Sequence, residues 1–267
     1  GTKMKTTINE LSVFLSGNRA SKPILFVHGF PFDHTMWQTQ VDEFSRDYFC
    51  VSYDIRGLGE SPAGDGQFTM ESFVDDLEAI IEELKLNGPV LCGLSMGGYI
   101  SLRALERMGN RFSAAVLCDT KSEADNNEGK LKRAAGIKRI SKEGLSLFAK
   151  DFIINCFGDV FKQMERDNLQ KIIEKSSQFN PVGVKGSLLA MLSRSDTTAG
   201  LGKIIVPTLL ICGEQDALTP PGIMKDMFHK INDAEFVEIP KAGHMTPIEN
   251  PLLVNKLIRD FLIRNKF

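Results

Sequence analysis

The chain has 267 residues, which suffices for one large α/β domain or for one domain that carries an inserted subdomain. Its formal net charge of −2, from 32 basic and 34 acidic side chains, favours neither nucleic acid nor an anionic membrane as a partner. No apolar run approaches the ~20 residues that span a bilayer. Five cysteines without CxxC spacing predict buried, reduced thiols, and we therefore expect a cytoplasmic protein.

Apolar runs typical of buried strands recur along the chain. Alternating residues between Lys5 and Leu15 predict an antiparallel hairpin, and six further strands are predicted at residues 24–27, 49–53, 90–92, 114–118, 208–212 and 235–239. Most of these runs lack polar alternation, as in parallel strands covered on both faces. Because helical segments separate them, the sequence predicts an α/β fold with a doubly wound, mostly parallel sheet of eight strands.

One amphipathic helix is predicted between residues 70 and 86. Phe73, Leu77 and Ile80 share its apolar face, at spacings of four and three residues. The acidic side chains of the opposite face are predicted to be solvated, and they are Asp75, Asp76, Glu78, Glu82 and Glu83.

Strand patterns stop at about residue 120 and resume only after residue 203. Helical patterns dominate between these positions, and a stretch of this length is too long for a plain loop. We therefore predict a helical cap at residues 120–203, inserted between the two parts of an α/β core at residues 4–119 and 204–267.

The clearest chemical signal is Gly93-Leu94-Ser95-Met96-Gly97, directly after a predicted strand and before a helical run. In this context GxSxG forms a sharp turn that exposes the serine hydroxyl above a sheet. Flanking glycines are needed because the turn is sterically crowded. Ser95 is the predicted nucleophile.

A serine hydroxyl needs a base, and that base needs a carboxylate to orient it. His244 is the predicted base because it lies in a glycine-containing loop after the last predicted strand. Of the other histidines, His28 is expected to support the neighbouring loop by hydrogen bonding. Asp216 is the predicted acid, in the loop after strand 208–212, while Asp119 after strand 114–118 is the alternative.

Acyl transfer also needs donors for the oxyanion. The backbone N–H groups of Met96, next to the nucleophile, and Phe30, in the early His28-Gly29 loop, are the predicted donors. Pro31 has no N–H and is excluded. Apolar residues near these positions predict an acyl pocket formed by Phe32, Trp37, Leu218 and Met245.

These segments together resemble the α/β-hydrolase superfamily over nearly the whole chain. The turn Asp54-Ile55-Arg56-Gly57-Leu58-Gly59-Glu60-Ser61 is similar to a supporting turn of that family. Phe30-Pro31-Phe32-Asp33 and Asp119-Thr120-Lys121 resemble the branch of bacterial carboxylesterases, aryl esterases, perhydrolases and 3-oxoadipate enol-lactonases. Ser95 argues against the dehalogenases and epoxide hydrolases of the family, which use an aspartate nucleophile.

The resulting hypothesis is a serine hydrolase that cleaves small carboxylic esters through an acyl-enzyme. Neither a metal nor an organic cofactor is expected, since histidines and carboxylates do not cluster at ligand spacing in the sequence. A lactonase for carboxylated substrates is one alternative, with Lys121 or Arg133 as the cation. A perhydrolase and a non-hydrolytic receptor are the others.

Overall fold

The apolar runs of the sequence form one eight-stranded sheet in the computed structural model, which describes residues 3–267. The strand order is β1-β2-β4-β3-β5-β6-β7-β8. The strands are β1 (Met4–Ile8), β2 (Leu11–Ser16), β3 (Pro23–Val27), β4 (Phe49–Tyr53), β5 (Val90–Leu94), β6 (Ala114–Cys118), β7 (Thr208–Gly213) and β8 (Ala234–Ile239). The predicted α/β class and its mostly parallel sheet are confirmed.

The burial of the strands agrees with their directions and their places in the sheet. The hairpin β1–β2 is antiparallel and β2 runs antiparallel to β4, whereas all other neighbours are parallel. Every residue of β3 to β7 is buried, as expected for strands covered on both faces. The edge strand β8 is mostly half-buried, which accounts for its alternating acidic residues. The carboxyl ends of the central strands therefore lie along one edge of the sheet.

Helices connect the parallel strands. They are α1 (Gln38–Phe44), α2 (Met70–Glu83), α3 (Met96–Met108), α4 (Asn127–Glu143), α5 (Leu145–Cys156), α6 (Asp159–Met164), α7 (Arg166–Ser177), α8 (Pro181–Ser193), α9 (Pro221–Lys230), α10 (Thr246–Glu249) and α11 (Pro251–Arg264). Within residues 3–267, none of them combines the length and apolarity needed to cross a membrane.

The predicted amphipathic helix is α2, and one part of its predicted solvated face is wrong. Its start is fixed by a reciprocal hydrogen-bonded cap between Thr69 and Ser72. Asp76 is buried, with its carboxylate 2.8 Å and 2.9 Å from the guanidinium of Arg56 and 2.9 Å from the amide of Asn9. Both partners lie far away in the sequence, so helical periodicity could not reveal this ion pair.

Five helices, α4 to α8, lie between β6 and β7, and the described residues of this segment contain no strand. The predicted helical character of the insertion is therefore confirmed. The boundaries of a separate cap, at residues 120 and 203, stay a prediction.

Candidate active site

Ser95 lies at the tip of a sharp turn between β5 and α3. Its backbone has φ +53° and ψ −113°, a strained conformation for a residue with a side chain. Glycine is required beside it, because a Cβ on Gly97 would lie 2.1 Å from the carbonyl oxygen of Val27. A Cβ on Gly93 would lie 2.5 Å from the carbonyl oxygen of Gly97. The two glycines allow the helix to start directly above the strand.

His244 contacts this turn from a loop after β8. Its Nε2 lies 2.7 Å from Ser95 Oγ, although 149 residues separate the two in the chain. The imidazole is almost completely buried, and the backbone N–H of His244 donates to the carbonyl oxygen of Cys156 at 2.8 Å. His244 is thus held by one hydrogen bond of its imidazole and by one of its backbone N–H.

Asp216 follows β7 and lies on the other side of the imidazole. Its two carboxylate oxygens are 3.0 Å and 2.9 Å from His244 Nδ1. The carboxylate also accepts hydrogen bonds from the N–H groups of Leu218 and Thr219 and from the Thr219 hydroxyl. Burial opposes ionisation, but His244 and Thr219 outweigh it and hold the pKa of Asp216 below its ordinary value. An ionised Asp216 keeps the proton on Nδ1, so Nε2 is free to accept the Ser95 proton.

Asp119, the alternative acid, is buried behind Asp216 and has no hydrogen bond to His244. Its carboxyl group instead bonds the Gly213 N–H at 2.9 Å and the Thr246 hydroxyl at 2.6 Å. Burial and the neighbouring Asp216 raise its pKa well above the ordinary value, which favours the neutral acid. Of the two acids named from the sequence, only Asp216 contacts the imidazole.

The two predicted oxyanion donors lie beside Ser95. Within residues 3–267, the N–H groups of Phe30 and Met96 have no hydrogen-bond partner in the protein. The Phe30 loop packs against the turn, since a Cβ on Gly29 would lie 3.5 Å from Ser95 Cβ. His28 supports this loop as predicted, because its Nε2 accepts the Ile55 N–H at 2.9 Å and its Nδ1 bonds the Gly29 carbonyl oxygen at 2.7 Å. Burial lowers the pKa of His28, so the ring is neutral.

A cavity of about 300 Å³ opens above Ser95 and His244. The rings of Phe30, Phe148 and Phe152 form an aromatic wall, with centroids 5.2 Å to 6.2 Å apart. The remaining lining residues are Tyr99, Lys121, Asp125, Gly129, Lys132, Arg133, Leu188, Met191, Leu218 and Thr219. Most of the apolar lining comes from α5 and α8, and sequence proximity to Ser95 gives no signal for it.

Three of the four residues predicted for the acyl pocket do not line this cavity. Trp37 is fully buried against Phe26, and Met245 is also fully buried. Phe32 lines a second cavity of about 420 Å³. Of the four, Leu218 alone lines the cavity above Ser95, because closeness in sequence does not determine the direction of a side chain.

Two clusters could supply metal ligands among the described residues. One consists of Asp33, His34 and Asp54, and the other of Asp119, Cys212 and Asp216. Sequence spacing did not reveal the first, because the turn after β4 brings Asp54 to His34, 2.7 Å from its Nδ1. Protein hydrogen bonds already occupy the carboxylates of both clusters.

Comparisons with known proteins agree with this architecture. The family model described as the alpha/beta hydrolase fold matches residues 22–251. The 3-oxoadipate enol-lactonase 1 of Acinetobacter baylyi is 29% identical over 90% of this chain and 88% of its own length. Among solved structures, a thermophilic esterase from Thermogutta terrifontis with malate bound is 33% identical, with a TM-score of 0.91 and 99% coverage of both chains.

A third relative extends the comparison. The enol-lactonase from Burkholderia xenovorans LB400 has a TM-score of 0.89 at 26% identity, over 97% of this chain and 100% of its own. The family match covers most of the chain, and the sheet order and the sharp turn at Ser95 agree with it. The chain therefore belongs to the α/β-hydrolase family.

Proposed function

We propose that the protein hydrolyses small carboxylic esters through a Ser95–His244–Asp216 triad. The observation that carries the proposal is the continuous hydrogen-bonded chain from Ser95 Oγ to His244 Nε2 at 2.7 Å and from His244 Nδ1 to Asp216 at 2.9 Å. This geometry is the one that activates a serine hydroxyl for attack on a carbonyl carbon.

The reaction proceeds in two steps. Ser95 Oγ attacks the ester carbonyl while His244 takes its proton, and the N–H groups of Phe30 and Met96 donate to the oxyanion. His244 then protonates the leaving alcohol, which leaves an acyl group on Ser95. Water, activated by His244, attacks this acyl-enzyme and releases the acid.

The test is repeated turnover of short-chain p-nitrophenyl esters. Wild-type protein is expected to release p-nitrophenol in many equivalents per molecule, and Ser95→Ala is expected to abolish this release. Ser193→Ala is the matched control, because Ser193 is an exposed serine on α8 outside the cavity. A single slow turnover would instead indicate a receptor, and faster reaction with peroxide than with water would indicate a perhydrolase.

A lactonase acting on a carboxylated substrate is the second candidate. Two lysines of the cavity, Lys121 and Lys132, form no ion pair within residues 3–267, whereas Arg133 is 2.8 Å from the Asp125 carboxylate. Unpaired cations beside the nucleophile favour a substrate anion. Two relatives, the enol-lactonases of Acinetobacter baylyi and Burkholderia xenovorans LB400, also support this candidate.

A substrate panel separates the two candidates. If lactones react far better than every open-chain ester, the lactonase is correct. Lys121→Gln and Lys132→Gln should then raise KM for carboxylated substrates and leave KM for neutral esters unchanged. Lys138→Gln serves as the control, since Lys138 lies on the same helix as Lys132 but outside the cavity.

A further inference from the structure

A single carboxylate holds the backbone on both sides of His244. Glu249 lies at the end of α10, five residues after the histidine. Its Oε2 accepts hydrogen bonds from the N–H groups of Gly243 at 3.0 Å and Met245 at 2.9 Å, and its Oε1 is also 3.0 Å from the Gly243 nitrogen. The peptide groups that flank the imidazole-bearing residue are therefore fixed by one side chain.

The same carboxylate extends this contact to the helical segment between β6 and β7. Glu249 Oε1 accepts the N–H of Gly158 at 2.7 Å, in the turn between α5 and α6. The Cys156 carbonyl oxygen, two residues earlier, accepts the N–H of His244 at 2.8 Å. The packing is close, because a Cβ on Gly243 would lie 2.6 Å from the Gly158 nitrogen. The histidine loop and this turn thus form one hydrogen-bonded unit.

We propose that Glu249 is a positioning residue that sets the distance between His244 and Ser95 by holding the histidine loop against the α5–α6 turn. This inference rests on the proposed ester hydrolysis. It assigns to Glu249 no contact with substrate. The ionised carboxylate is required, because protonation puts an O–H on one oxygen and makes that oxygen a weaker acceptor for the three N–H donors.

Glu249 can exchange protons with solvent because it also lines the second cavity of about 420 Å³. Burial raises the pKa of Glu249 above its ordinary value, although its three N–H partners and His244 act against this rise. The titratable groups of the elements around it are His244 and the Cys156 thiol, with Lys162 also near that thiol, and Glu165, Lys175 and Asp33 in the cavity lining. Lys175 and Asp33 pair with each other at 2.9 Å, so they do not compensate a charge change at Glu249.

The test compares Glu249→Gln with wild type on a p-nitrophenyl ester. The Gln side chain offers one acceptor oxygen and places an NH₂ against backbone N–H donors, which should displace the loop. We expect kcat to fall about 10- to 100-fold, the size of effect that a misplaced catalytic group produces, with KM changed less than twofold. On the acid side of a plot of log(kcat/KM) against pH, the slope should exceed 1 in wild type, because two groups titrate. In the variant the slope should be 1, because only one group titrates.

Glu165→Gln is the matched control, since Glu165 lines the same cavity but accepts none of these backbone N–H groups. Glu249→Asp keeps the charge with a shorter reach, so it should retain the steep acid limb and lose less kcat. The proposal is overturned if Glu249→Gln retains wild-type kcat and the wild-type acid limb. Failure of the proposed function would look different, because wild type would then show no turnover or Ser95→Ala would remain active.

Discussion

The sharpest consequence of the site geometry concerns Asp216→Asn. The N–H groups of Leu218 and Thr219 both point at Oδ1 at 2.9 Å, so they require the amide oxygen of the new side chain at that position. The amide NH₂ then occupies the place of Oδ2, 2.9 Å from His244 Nδ1, while the amide oxygen stays 3.0 Å from it. The nearer NH₂ can donate to an Nδ1 that carries no proton. An N–H on Nδ1 would be repelled by this NH₂, whereas a bare Nδ1 accepts from it, and the imidazole proton should therefore move to Nε2.

An imidazole with its proton on Nε2 cannot accept the proton of Ser95. A wrong tautomer in a triad of this type costs about 10⁴-fold in kcat, which corresponds to about 5.4 kcal/mol of barrier. The assay is steady-state hydrolysis of a p-nitrophenyl ester, with thermal unfolding to verify that the variant is folded. A loss of less than tenfold in a folded variant would refute the assignment of Asp216. If Asp119→Asn abolished turnover in the same assay, Asp119 would be the acid.

Three further predictions follow from packing, charge and cavity shape. Gly97→Ala should lower the free energy of unfolding by about 1–3 kcal/mol in urea titrations, because its Cβ would overlap the Val27 carbonyl oxygen, and an unchanged stability would contradict this. Burial opposes ionisation of Asp54, but its hydrogen bonds with His34 and the Glu60 N–H, together with the nearby histidine rings, outweigh burial and lower the pKa of Asp54. The resulting stabilisation is present at neutral pH and is lost as the pH falls below about 3.9, so the deficit of Asp54→Asn in urea should shrink there, and a constant deficit would exclude this origin. Phe152→Ala should raise kcat/KM for octanoate relative to butyrate p-nitrophenyl esters, since it removes part of the aromatic wall, and an unchanged ratio would place the acyl chain elsewhere.

The sequence allowed the sheet to be predicted because most of its parallel strands are continuous apolar runs with a polar or glycine residue at the end, and only the edge strand β8 alternates. Ser95, Asp216 and His244 follow three different predicted strands, β5, β7 and β8. In a parallel sheet those strand ends share one edge, so the three side chains could be expected to meet without any knowledge of the loops.

What the sequence could not show depends on side-chain direction and on contacts over long separations. Trp37 lies close in sequence to the Phe30 loop but points into the core against Phe26. The aromatic wall of the cavity comes from Phe148 and Phe152 on α5, whose apolar periodicity is equally typical of an ordinary helix core. Tertiary packing decides which surface the apolar face of a helix contacts, and this choice leaves no local pattern in the sequence.

Glu249 illustrates the same limit at the site itself. In the sequence it is one acidic residue near Pro251, where helix starts commonly carry acidic side chains. Its three backbone donors come from residues 158, 243 and 245, and backbone N–H groups are present at every non-proline position. A hydrogen bond to the main chain therefore has no residue-type signature.

The turn from Cys156 to Gly158 has a consequence for chimeric hydrolases. An engineer who replaces the helices between β6 and β7 with those of another family member would leave Ser95, Asp216 and His244 untouched. A transplanted helix that ends elsewhere would nevertheless deprive His244 of its carbonyl acceptor and Glu249 of one donor. Any bulkier residue at the position of Gly158 would collide with the Lys241 carbonyl oxygen, 2.9 Å from the site of its Cβ. The replaced segments should therefore leave residues 156–158 unchanged.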